Sequence, residues 1–142
     1  MTDFLAVTIG DFDTWVRTVY GEARGESFPG MKAVAWVIKN RWTHEKGQFV
    51  KDQRITQVCT RYAQFSCWLQ GDPNFRTMME GSPADLAYRR CMAAVLEVMD
   101  EPVDYITNDS RHYHAVGSHP TWSKGHQSVA KIGRHVFYND VP

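Results

Sequence analysis

Between Asp13 and Arg41 the chain carries two runs of helical periodicity, separated by a short break rich in glycine and carboxylate. In the first run Trp15, Val16, Val19, Tyr20 and Ala23 recur on one helix face, and Asp11 or Asp13 stands where a cap belongs. Gly21 and Gly25 weaken the end of this helix, so Glu22 is expected in or just after its last turn. In the second run Pro29 suits a first helical position, and Met31, Val34, Ala35, Val37 and Ile38 give a wide apolar face. Residues 43–55 are polar and read as a loop, and Ile55 to Arg61 as a short helix. Ser82-Pro83-Ala84-Asp85 opens a further helix, with a Ser cap and an acid near the positive end of the helix dipole. Leu86, Met92, Val95, Leu96 and Met99 carry it to Asp100, and Pro102 stops it. Beyond it, Val103 to Ile106, His112 to Ala115 and Ile132 to Tyr138 are β-prone runs between loops at Gly117, Pro120 and Gly125. The expected fold class is α+β, mainly α, with a small antiparallel sheet.

A length of 142 residues suits a single domain over 1–142. The 16 basic and 16 acidic residues balance, which argues against a nucleic-acid partner bound by phosphate neutralisation. No apolar run approaches the roughly 20 residues of a membrane span. Residues 1–10 lack a positive segment, and Asp3 interrupts their short apolar stretch, so they do not read as a secretory signal. Synthesis in the cytoplasm is the corresponding expectation, and so is a monomer. Cys59, Cys67 and Cys91 are an odd, sparse set and read as buried thiols rather than a disulfide framework, with a single Cys59–Cys67 bridge as the alternative.

Three clusters could carry chemistry. Tyr20-Gly21-Glu22-Ala23-Arg24-Gly25-Glu26 places two carboxylates four residues apart, with Arg24 between them. A general acid working near neutral pH needs a raised pKa, which burial among rings supplies, and Trp15, Val19 and Tyr20 could form such a wall. The same segment also suits a solvated helix end in which Glu22 or Glu26 pairs with Arg24. Five of six histidines lie between residues 112 and 135, and His112 and His114 would share one strand face. Imidazoles invite a zinc reading, but their spacing matches no standard site, so neither metal nor cofactor is expected. Gln64-Phe65-Ser66-Cys67-Trp68 mixes an amide, a hydroxyl and two rings, and suits either sugar recognition or a core turn. No neighbour in sequence lowers the Cys67 pKa.

Taken in order, these clusters resemble the SleB/CwlJ family of bacterial cell-wall hydrolases. The matching segments are Val19 to Glu26, Gly30 to Arg41, Gln64 to Trp68, His112 to His114, Pro120 to Trp122 and Ile132 to Tyr138, spanning about residues 14–139. The resemblance implies a lysozyme-like domain that cuts peptidoglycan between N-acetylmuramic acid and N-acetylglucosamine. It implies Glu22 as the catalytic acid of a lytic transglycosylase, whose product is a 1,6-anhydro sugar. Glu26, Gln64, Ser66, His112, Tyr113 and His135 are candidates for binding substrate or orienting Glu22. A domain of this kind without an export signal resembles a phage endolysin, made in the cytoplasm and acting on the wall after release. The competing readings are a muramidase in which Glu26 or Asp109 directs water, a zinc amidase using the histidines, and a non-catalytic peptidoglycan-binding module.

Overall fold

The structure is a computed structural model describing residues 7–49 and 52–142. The amino-terminal stretch read for an export signal lies outside the described residues over positions 1–6, as do positions 50–51 of the 43–55 loop.

Helix α1 runs Ile9–Ala23, four residues earlier than the periodicity predicts. Thr8 is its cap, and Asp11 occupies the third helical position of a reciprocal capping box. Asp11 is fully buried and also accepts from the Thr56 backbone N–H and hydroxyl, which fastens this helix start to α3 (Ile55–Thr60). Burial pushes the Asp11 carboxyl up, but its bonds from Thr56 and Thr8 outweigh that and leave it at about 2. Helix α2, Phe28–Thr43, is capped by Ser27 and has Pro29 in its first turn. It is buried on two sides, with Val34, Ala35 and Ile38 in the helical core and Ala33 and Val37 under the sheet. Helix α5, Leu86–Asp100, is capped by Asp85 and begins four residues after Ser82, because Ser82 to Ala84 form a turn rather than the first helical turn. A short α4, Phe75–Glu80, and a 3-10 turn at Ser66–Trp68 have no clear periodic signal in the sequence.

Lys39 of α2 is buried, and its ammonium donates to the carbonyls of Val98, Met99 and Glu101 at 2.8, 3.3 and 2.7 Å. Those carbonyls are unpaired at the end of α5, so a side chain of one helix terminates another.

The sheet has three antiparallel strands in the order β1, β3, β2: β1 His112–Ala115, β2 Ala130–Ile132 and β3 His135–Tyr138. The single run read at 132–138 is therefore two strands, bent back at Gly133, whose φ is +56°. Val103 to Ile106 is not a strand. Asp104 is buried and accepts from the backbone N–H groups of Ile106, Thr107 and Asp109, the Thr107 hydroxyl and the Asn40 amide. One carboxylate thus gathers donors that a strand would spend on neighbours, and the chain turns instead. Tyr113 lies opposite Phe137 and Ala115 opposite His135, so these side chains share one face, on which Tyr113 and Phe137 pack against Ala33 and Val37. His112 and His114 share the outer face, with Trp122 and Tyr138. The three cysteines are free and buried, so of the two readings the thiols hold and Cys59 and Cys67 are not bridged.

Candidate active site

Glu22 stands in the last turn of α1. One carboxylate oxygen accepts the Tyr113 hydroxyl at 2.6 Å, and the other accepts the Cys67 backbone N–H at 3.3 Å. Helix, strand and 3-10 turn therefore converge on one side chain. Gly21 permits the approach: a Cβ there would lie 2.7 Å from both Cβ and Sγ of Cys67. Tyr113 is held edge-on by His135 with ring centroids 4.8 Å apart, and packs on Phe137 at 5.6 Å. Burial, then the charge of Glu22, push the Tyr113 phenol well above its ordinary range, so it remains a donor. Burial likewise pushes the Cys67 thiol far up, with Glu22 adding to the effect, so Cys67 is not a ready nucleophile.

The wall around Glu22 differs from the one read in the sequence. Tyr20 turns away and donates its hydroxyl to Asp85 at 2.5 Å, and the ring that touches the carboxylate belongs to Tyr113. Arg24 does not pair with either nearby glutamate. Its guanidinium donates to Asn74 Oδ1 at 2.6 Å and lies over the Tyr20 ring.

Glu26 is buried and spent on structure. Its two oxygens accept the backbone N–H and the Nε of Arg134, both at 2.9 Å. Burial pushes its carboxyl up, the Arg134 bonds more than offset this, and it settles below the usual glutamate range. The pair clips the β2–β3 turn onto the end of α1, and a Cβ on Gly133 would collide with Glu26 Oε1. His135 Nδ1 stands 4.0 Å from Glu26 and is buried without a hydrogen-bond partner.

Glu22, Arg24, Glu26, Asn74, Arg134 and His135 line a cleft of about 410 Å3. Gln64, His112 and Tyr113 line a second hollow of about 300 Å3, together with Arg41, Gln48 and Trp122. Ser66 is exposed and lines neither, although its successor Cys67 supplies an N–H to Glu22. His112 is buried between Phe49 and Trp122, and burial, then Arg41 and Arg111, pull its pKa down to about 4. His114 meets the Tyr138 hydroxyl and His126 meets Asp140. Among the described residues no three His, Cys, Asp or Glu converge as a metal-binding group. Asp109 lines a separate hollow with His44 and Arg111. Asn74, Arg134 and Arg41 were not legible as site residues, since each meets its partner only through the fold.

The sequence profile described as Cell Wall Hydrolase matches residues 25–138, which starts just beyond Glu22 and takes in the other six candidate residues. The catalytic domain of the Bacillus cereus SleB protein superposes with a TM-score of 0.72 at 24% identity, covering 92% of this chain and 91% of that one. The catalytic domain of the germination-specific lytic transglycosylase SleB from Bacillus anthracis gives 0.70 at 24% identity, covering 92% and 95%. No curated protein matches the chain at a significant level. The mainly helical fold with its three-stranded sheet is thus shared with the SleB catalytic domains, and the profile spans most of the sequence: the chain belongs to the cell wall hydrolase family.

Proposed function

We propose that the protein cleaves the peptidoglycan glycan strand between N-acetylmuramic acid and N-acetylglucosamine as a lytic transglycosylase, with Glu22 as acid and then base. The observation that carries this reading is the unequal state of the two carboxylates in one cleft. Glu26 is consumed by Arg134, whereas Glu22 is held by one neutral hydroxyl and one N–H. A lone carboxylic acid suffices when the nucleophile belongs to the substrate. The Glu22 carboxyl proton passes to the glycosidic oxygen as the bond to the muramyl anomeric carbon breaks. The 6-hydroxyl oxygen of the same sugar bonds to that carbon, and its proton returns to the Glu22 carboxylate. Charge developing at the anomeric carbon is spread by the substrate's own acetamido group. Tyr113 and the Cys67 N–H fix the carboxylate in place and need not move during the reaction. The shared fold with a named lytic transglycosylase supports the same reading.

A muramidase would need a second carboxylate to direct water. Glu26 is tied to Arg134, and Asp109 belongs to another hollow. The amidase reading loses support because among the described residues the histidines join no group of three metal-ligand side chains.

Mass spectrometry of digested sacculi is the test. The expected products carry 1,6-anhydro-muramyl ends, and Glu22→Gln removes them while the variant still folds, with a loss of about 10²–10⁴-fold. Hydrated reducing ends would establish a muramidase, and freed peptides an amidase. Full turnover by Glu22→Gln would take Glu22 out of the mechanism.

A further inference from the structure

Arg41 projects from α2 and is buried, with only 4% of its surface exposed. Its Nε donates to the Arg111 carbonyl at 2.7 Å, and Nη1 reaches Gln64 Oε1 at a long 3.4 Å. The guanidinium lies over the rings of Phe49 and Phe65, 4.2 and 4.9 Å from their centroids. Among the described residues no carboxylate lies within 4 Å of it. Burial lowers its pKa to about 10, which leaves it charged at neutral pH. A buried cation without a counter-charge is costly, and an anion entering beside it removes much of that cost.

The hollow it lines has room for such an anion. Among the described residues that line it, Arg41 alone carries a formal charge, because burial keeps His112 neutral. The Gln48 amide nitrogen contacts His112 Nε2 at 3.0 Å, so Nε2 accepts and the proton sits on Nδ1, which is buried without a partner. The neighbouring cations are already engaged: Arg61 pairs with Asp52, and Arg111 donates to the carbonyls of Asp109 and Asn139. Tyr113 forms another wall of the hollow, and its hydroxyl sits on Glu22. A group bound here would lie one ring away from the scissile bond.

We infer that this hollow is a carboxylate-binding subsite built on Arg41, which grips an acid group carried by the substrate's muramyl residue. The inference rests on the glycan-strand reading above. A guanidinium offers paired N–H donors that match a carboxylate, and muramic acid is the glycan sugar whose substituent bears carboxyl groups. Two sources share that chemistry: the lactyl carboxylate of an unsubstituted muramyl residue, and a carboxylate on its stem peptide.

Binding of three probes to the intact chain separates these sources. N-acetylmuramic acid presents the lactyl carboxylate, a muramyl dipeptide ending in D-glutamate presents stem carboxylates, and the fully amidated dipeptide presents none. The His112 imidazole resonances report on the hollow itself. At least one acid probe should bind about tenfold or more tighter than the amide, as loss of a charge-assisted bond requires. A preference for N-acetylmuramic acid assigns the lactyl group, and a preference for the dipeptide alone assigns the stem. Gln64→Glu places a carboxylate within reach of Arg41 and should abolish the preference, and Arg41→Lys should weaken it. If Arg41→Lys does not fold, Gln64→Glu decides, because Gln64 is half-buried at a loop position. Equal binding of acid and amide, or a preference that survives Gln64→Glu, overturns the subsite. Sacculus digestion run in parallel keeps the two readings apart. Anhydro products without a carboxylate preference sink the subsite alone. A preference without glycan cleavage upholds the anion site and sinks the glycan-strand reading.

Discussion

Tyr113 and Glu22, 91 residues apart in sequence, meet in a hydrogen bond of 2.6 Å in which the phenol donates to the carboxylate. The bond joins Glu22, which unlike Glu26 makes no ion pair with a described residue, to the inner face of the sheet. It makes the position of Glu22 depend on strand register, since a one-residue slip of β1 would send Tyr113 to the outer face.

Tyr113→Phe should therefore lower turnover about tenfold, the worth of one oriented hydrogen bond, while the ring keeps its packing on Phe65, His135 and Phe137. The loss should fall on kcat, and the melting temperature should move little. An unchanged kcat would show that Cys67 alone positions Glu22.

Gly21→Ala should destabilise the fold by about 1–3 kcal/mol, because the new methyl meets Cys67 at 2.7 Å and Met78 at 3.2 Å. It should also depress activity, since relief of the clash pushes the Cys67 N–H away from Glu22. Gly71→Ala, where a Cβ meets nothing within 4 Å, is the control. Equal melts for the two variants would overturn the packing argument.

Glu26→Gln should cost about 1–3 kcal/mol at neutral pH, because the buried carboxylate accepts two bonds from Arg134. The Glu26 carboxyl is depressed in the folded state, so its stabilisation is complete above the unfolded glutamate value and lost as pH falls through the folded one. The melting curves of wild type and variant should accordingly converge on acidification below about 4. A gap that persisted in acid would mean that Glu26 acts through shape rather than charge.

His112 should make the fold acid-sensitive. Its folded pKa of about 4 lies below the ordinary 6.5, so the unfolded chain takes up a proton first as pH falls. Stability from this group is full above about 6.5 and drains by up to about 3 kcal/mol between there and about 4. His112→Gln, which cannot charge, should flatten that part of the stability profile. An identical acid profile for the variant would place the sensitivity elsewhere.

Much of the helical frame is legible in the chain because helices are written in local periodicity. The stripe from Trp15 to Ala23 and the two-sided run of α2 are both buried where the pattern puts them. Glu22 at the end of α1 follows from the same local pattern, with Gly21 and Gly25 beside it. The misplaced boundaries also have local causes: Thr8 caps α1 ahead of both aspartates, and Asp85 caps α5 after the Ser-Pro turn. The false strand at 103–106 fails because the buried Asp104 attracts five donors, one of them from Asn40, 64 residues away.

What the sequence by itself determined is most of the helical skeleton and the place of Glu22, both of which depend on residues near one another in the chain. Only the tertiary structure decided which carboxylate is left free. Glu22 and Glu26 look alike in sequence, and the difference between them comes from Arg134, 108 residues beyond Glu26, and from Tyr113, 91 beyond Glu22. Hydrogen bonds and ion pairs act over a few ångströms, so the chemistry of a carboxyl is set by whatever the fold brings beside it.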